Sequence, residues 1–183
     1  MTVSSSEGWH RWPGQGKYAR PEVERRFLVR THSLAALGAG ALAGATREIE
    51  DTYLDGMSLR LRHVHAEGES VYKLTQKVRP DPADPAVVAI TNLYLTADEY
   101  GRLAELPGRT LRKTRSVHPP FVVDLFHGLV EGLRLAEVEV PDLLAPLELP
   151  AWLGREVTHD DRYSGGRLAQ ATAADVAALL RLS

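Results

Sequence analysis

From Glu22 to Val29 apolar and polar residues alternate with a period of two, and the polar side of the alternation is charged. Val23, Phe27 and Val29 fall on one side; Glu22, Glu24 and Arg26 fall on the other. This is the pattern of a strand with unlike faces. A single strand of this kind is ordinarily explained by a solvated face. Here the spacing recurs: Arg60 and Arg62, Lys113 and Arg115, and Glu137 and Glu139 each stand two apart. Charges paired in this way on strand after strand predict a sheet curled around its own polar face, a site for something highly charged.

The rest of the chain extends the pattern. Arg47 to Asp55 reads as a strand with Ile49 and Tyr53 on one face, and Asp55-Gly56 as a turn. Arg60 and Arg62 then share a face opposite Leu59 and Leu61, and Lys73, Thr75 and Lys77 share one opposite Tyr72, Leu74 and Gln76. Lys77, near its strand's end, is expected in solvent. Hairpin following hairpin predicts antiparallel pairing. Three prolines between Arg79 and Pro85 exclude that stretch from a sheet interior. Val87 to Leu95, Thr110 to Val117, Phe121 to Phe126 and Leu133 to Val140 read as further strands. Thr96 and Glu99 have the spacing of a capping box opening a helix to about Leu106. A short Ala-, Leu- and Gly-rich helix is expected over Ser33 to Ala45, an amphipathic one over Asp175 to Leu182, and a turn at Pro150 to Gly154. Residues 1–20, which include Trp9 and Trp12, read as a flexible leader, and residues 21–183 as one domain.

About eight strands with few helices predict an α+β, mainly β chain: a closed antiparallel eight-stranded tunnel with peripheral helices. Closure removes edge strands and gives the inward residues a shared lumen. That inward set is Glu22, Glu24, Arg26, Arg60, Arg62, Lys73, Lys113, Arg115, Asp124, Glu137 and Glu139. Such charges cannot be buried dry, since each unpaired one costs several kcal/mol. A wet tunnel holding a polyanion and hard divalent cations, Mg2+ or Mn2+, satisfies both signs.

Composition closes off other readings. The chain has no cysteine, which excludes disulfides, Cys-zinc sites and thiol nucleophiles. Its formal net charge of -2 over 183 residues gives no general reason to expect a nucleic-acid partner. No apolar run approaches the ~18 residues of a membrane span, and no secretory signal opens the sequence, so a cytoplasmic protein, monomeric or homodimeric, is expected. No Walker-type Gly-x4-Gly-Lys-Ser/Thr occurs.

Taken in order, Glu22-x-Glu24-x-Arg26, Ser58-Leu-Arg60-Leu-Arg62, Tyr72-Lys73-Leu-Thr75, Lys113-Thr-Arg115, Val123-Asp124 and Glu137-Val-Glu139 resemble the CYTH superfamily, the triphosphate tunnel metalloenzymes, over about Pro21 to Ala169. Gly154 to Thr158 and Arg162-Tyr163 resemble the tail of its bacterial members. The resemblance implies a small triphosphate or polyphosphate ligand and a requirement for Mg2+ or Mn2+. Implied activities include hydrolysis of inorganic triphosphate, foremost, and class IV adenylyl cyclase; a non-hydrolytic binding module is the other reading. Glu22, Glu24, Glu137 and Glu139, with Asp124, would hold the metal. Arg26, Arg60, Arg62, Lys73, Lys113 and Arg115 would bind the triphosphate, Arg26 and Lys73 nearest the chemical step. Two departures stand out: Arg26 replaces the Lys that usually ends the first motif, and Asn92 and Tyr94 stand where many members carry acids. His118, His127 and His159 lie near turns without ligand spacing, and Ser164-Gly165-Gly166 reads as a turn.

Overall fold

The computed structural model describes residues 13–30, 46–79 and 86–181. The leader up to residue 12 with both its tryptophans, the helix expected over 33–45 and most of the Pro-rich loop, residues 80–85, lie outside the described residues.

Nine strands form one sheet: β1 (Arg20–Val29), β2 (Arg47–Leu54), β3 (Leu59–Ala66), β4 (Glu69–Val78), β5 (Val87–Leu95), β6 (Gly108–His118), β7 (Phe121–His127), β8 (Arg134–Glu139) and β9 (Leu153–Glu156). Their order is β5-β4-β3-β2-β6-β7-β8-β1-β9, every pairing is antiparallel, and β5 also pairs with β1. That last pairing closes eight strands into the expected barrel. β1 joins it together: Arg20 to Val23 pair with β5, Glu24 to Leu28 with β8 on the other side, and Phe27 and Val29 with β9. A turn closes from Pro150 to Leu153, where one was expected, and leads straight into the short β9. Its four residues include Gly154, whose added Cβ would sit 3.1 Å from the Leu28 carbonyl oxygen, so glycine allows the close approach to β1.

Inward residues change character along the barrel. Arg26, Lys113, Asp124 and Glu137 give way, two residues along their strands, to Leu28, Leu111, Phe126 and Leu135. These apolar side chains pack with Tyr163, Leu168, Val176 and Leu179, so one end of the barrel is stoppered by α2 (Gly165–Ala169) and α3 (Ala173–Leu180). A second core lies outside the barrel, where Phe27, Val123, Ala136 and Val138 are covered by Leu153 and Trp152. β1 and β8 are therefore buried on both faces next to the charged lumen, which fixes the direction of their inward carboxylates. The remaining helix, α1 (Ala97–Leu103), starts on the reciprocal Thr96–Glu99 capping box read from sequence.

Candidate active site: a charged tunnel

A cavity of about 410 Å³ runs inside the barrel, and ten of the eleven residues assigned inward by parity line it. The eleventh, Asp124, is fully buried behind the wall. Tyr53, Lys77 and Asn92 line it too. Lys77 is thus in the lumen and not in solvent as its place near the strand end suggested; alternation with Lys73 and Thr75 outweighs proximity to the end.

Three carboxylates hold most of the cations in place. Asp51, 1% exposed, takes a bidentate pair from Arg62 at 2.6 and 2.7 Å and lies 3.4 Å from Arg60 Nε. Asp124 accepts from Lys113 Nζ and, at 2.6 and 2.7 Å, from both arms of Arg115. Glu137 accepts from Arg115 Nη2 at 2.6 Å and stands 3.8 Å from Arg26 Nε. Bidentate pairs restrict a guanidinium to one plane and one direction, so the cations are oriented before a ligand arrives. Asp51 escaped the sequence reading. It stands between Ile49 and Tyr53 on the face they share, and an acid among buried neighbours was the available signal.

Arg26 is held more loosely, as is Arg60, whose Nε also has no hydrogen-bond partner among the described residues. Buried to 6% exposure, Arg26 has only long contacts, 3.5 Å to Glu24 and 3.8 Å to Glu137, and its Nη1 has no hydrogen-bond partner among the described residues. A buried guanidinium left this loosely held is a standing deficit that an anionic ligand removes. Arg60 adds a weak donor bond to Thr75, 3.3 Å, and Thr75 donates to Asn92 at 2.8 Å. Asn92 thus anchors a neutral chain on β5. Tyr94, three-quarters exposed, has Lys73 Nζ 5.0 Å from its ring centroid.

The acids are divided by their surroundings. Burial alone would raise the Asp51 carboxyl, but Arg60 and Arg62 outweigh it and hold it well below the usual range. Glu137 is held low in the same way, Lys113, Arg115 and Arg26 overcoming its burial. Glu24 goes the other way: burial and the charge of Glu137 push it up to about 7, against the pull of Arg26 and Lys77. Burial, with repulsion from Arg60, brings Lys77 down to about 8. Glu24 stands directly across from Glu139 on β8, and Glu22 lies on the same face of β1. Like charges directly opposite one another are destabilising. Among the described residues no three His, Asp or Glu side chains already form a group able to share an ion. The all-oxygen donors and the strained Glu24 nevertheless fit a hard divalent cation. None of His118, His127 and His159 lines the cavity.

No protein-family model matches the chain. Over 46 residues, 25% of its length, it is 52% identical to the inorganic triphosphatase of Acetivibrio thermocellus, and the match spans only 30% of that protein. Two solved structures of NE1496 resemble most of the chain. One, called a hypothetical protein, gives a TM-score of 0.51 with 26% identity over 82% of this chain and 98% of its own. The other, called an inorganic triphosphatase, gives 0.50 with 25% identity over 82% and 95%. Closed barrel, charged lumen and these likenesses together support a CYTH-like triphosphate tunnel as the fold of this chain.

Proposed function

We propose that the chain hydrolyses a triphosphate inside the barrel, inorganic triphosphate first among candidates, with a divalent cation as cofactor. The observation that carries the reading is the lumen itself, with cations aligned on buried carboxylates and Arg26 held only by long contacts, its Nη1 unpartnered among the described residues. The names of the similar proteins support the same substrate. In this reading Arg60, Arg62, Lys113 and Arg115, with Lys73 near the mouth, hold the phosphoryl oxygens, and Arg26 meets the charge that develops in the transition state. Positioning and charge stabilisation are most of the work in phosphoryl transfer. Water attacks the terminal phosphorus, the bond to the bridging oxygen breaks, and phosphate and diphosphate result. Arg26 cannot give up its proton; Lys77 Nζ, whose burial favours the neutral amine, is able to take one up. Glu22, Glu24, Glu137 and Glu139 would hold Mg2+ or Mn2+, whose charge would neutralise the triphosphate and polarise it. Asp124, with both oxygens on Lys113 and Arg115, is assigned to positioning those cations.

Arg26 in place of lysine favours one rival, a module that binds polyphosphate without cleaving it. A phosphate-release screen over inorganic triphosphate, thiamine triphosphate and nucleotides, with Mg2+, Mn2+ or chelator, separates the two. Metal-dependent release is expected, with Glu139→Gln slowing it at least about tenfold, the equivalent of ~1.4 kcal/mol of transition-state stabilisation. Tight triphosphate binding with no release in any metal would make the binder the correct reading.

A further inference from the structure

Behind the tunnel lies a second cavity of about 330 Å³, between α2 and the β3–β4 side of the barrel. It shares Arg26, Arg60 and Lys77 with the tunnel and adds Arg79 and Arg167, which do not touch the tunnel. No Asp or Glu lines it among the described residues. The tunnel, by contrast, balances its cations with Glu22, Glu24, Glu137 and Glu139. Asp161 lies outside the lining and offsets part of the charge, pairing with Arg79 at 2.8 Å and with Arg167 at 2.8 Å. The boundary between the cavities carries the under-bonded Arg26, nine-tenths buried, with Nη1 unpartnered. A wall that carries five cations and no acid among the described residues, continuous with the tunnel, favours small anions over divalent cations.

We infer that this rear chamber is a second oxyanion site, taking a single tetrahedral anion such as inorganic phosphate and separate from the metal-bearing tunnel. That it binds an oxyanion follows from its own lining. That the anion is the phosphate released next door rests on the triphosphatase reading. If so, the smaller product leaves through the rear, and phosphate inhibits without competing directly for the tunnel mouth.

The test is calorimetric titration of the full chain with inorganic phosphate in chelator, and with inorganic triphosphate, for wild type, Arg79→Gln, Arg167→Gln and Gln170→Glu. Gln170 is an exposed residue on the chamber wall, so its substitution adds an acid there and leaves the Asp161 pairs intact. Should the arginine variants fail to fold, it still decides the matter. Each change is expected to weaken phosphate binding about tenfold, the scale of one charge-assisted hydrogen bond, with triphosphate affinity within about twofold of wild type. Phosphate affinity equal in all four proteins, equal weakening of both ligands, or no phosphate binding at millimolar concentration would overturn the site. Absence of phosphate release from triphosphate by the wild type in Mg2+ or Mn2+, with the phosphate-binding pattern intact, would remove only the proposed function and leave the chamber standing.

Discussion

Asp124 shows how much of this site is set by single residues. Fully buried, it balances both Lys113 and Arg115. Asp124→Asn keeps the shape and removes that charge, leaving two cations short of compensation. Breaking a buried pair from one side costs about 3–5 kcal/mol, so a loss of that order in urea denaturation is expected, together with weaker triphosphate binding. An unchanged denaturation midpoint would show that Glu137 suffices for both cations. Glu24 supplies the pH-sensitive counterpart. Its folded pKa of about 7 exceeds the ordinary 4.5, so its contribution to stability is complete below the unfolded value and is lost as pH rises to about 7. In chelator, Glu24→Gln should therefore gain on wild type as pH rises from 5 to 7.5, read as the difference in melting temperature at each pH. Saturating Mn2+ should reverse the order, because the ion favours the ionised carboxylate. A flat difference in both conditions would disconnect Glu24 from burial and from metal.

At the level of elements, the strands deliver charges and the C-terminal helices set where the lumen ends. Gly165 marks a tight approach between the two: a Cβ there would lie 2.0 Å from Tyr53 Oη. Helix propensity alone predicts that Gly165→Ala stabilises by up to ~1 kcal/mol. Overpacking costs about 1–3 kcal/mol, and with Tyr53 held between tunnel and rear chamber it should win. A net loss of about 1 kcal/mol in urea is expected, with altered phosphate affinity as Tyr53 shifts. A more stable variant would show that α2 moves freely on the barrel. Elements with local signals were the legible ones. Alternation marked β1, β3, β4 and β6, and the capping box marked α1. β9 had no such signal, since it is four residues long, contains glycine and exists only because β1 offers a free edge beyond β5.

For the whole molecule, closing eight strands concentrates charges of both signs in one volume. A tunnel of this kind is stabilised by any anion bound only in the folded state. At a hundredfold excess over its Kd, triphosphate adds about 2.7 kcal/mol, or roughly 5–10 °C in melting temperature for a chain of this size. Arg26→Ala should reduce that shift while leaving the strands' hydrogen bonds untouched. No shift at millimolar triphosphate, with or without Mg2+ or Mn2+, would remove hydrolase and binder together. Among the described residues no helix is long and apolar enough to cross a membrane.

Period-two alternation is a property of the local backbone, so the sequence by itself determined which face each charge occupies. It also determined that several strands present charge to a common side, and hence that a barrel with a polar lumen was the economical fold. Pairing between strands is not local. β2 lies beside β6 rather than β1, and Arg115 meets Asp124 and Glu137 only through the registers of β6, β7 and β8. Which carboxylates hold which cations therefore waited on tertiary structure. So did the burial of Asp51 and of Lys77, and the rear chamber. Each depends on how far a side chain sits from water and from charges on other strands, and closure of the barrel alone fixes those distances.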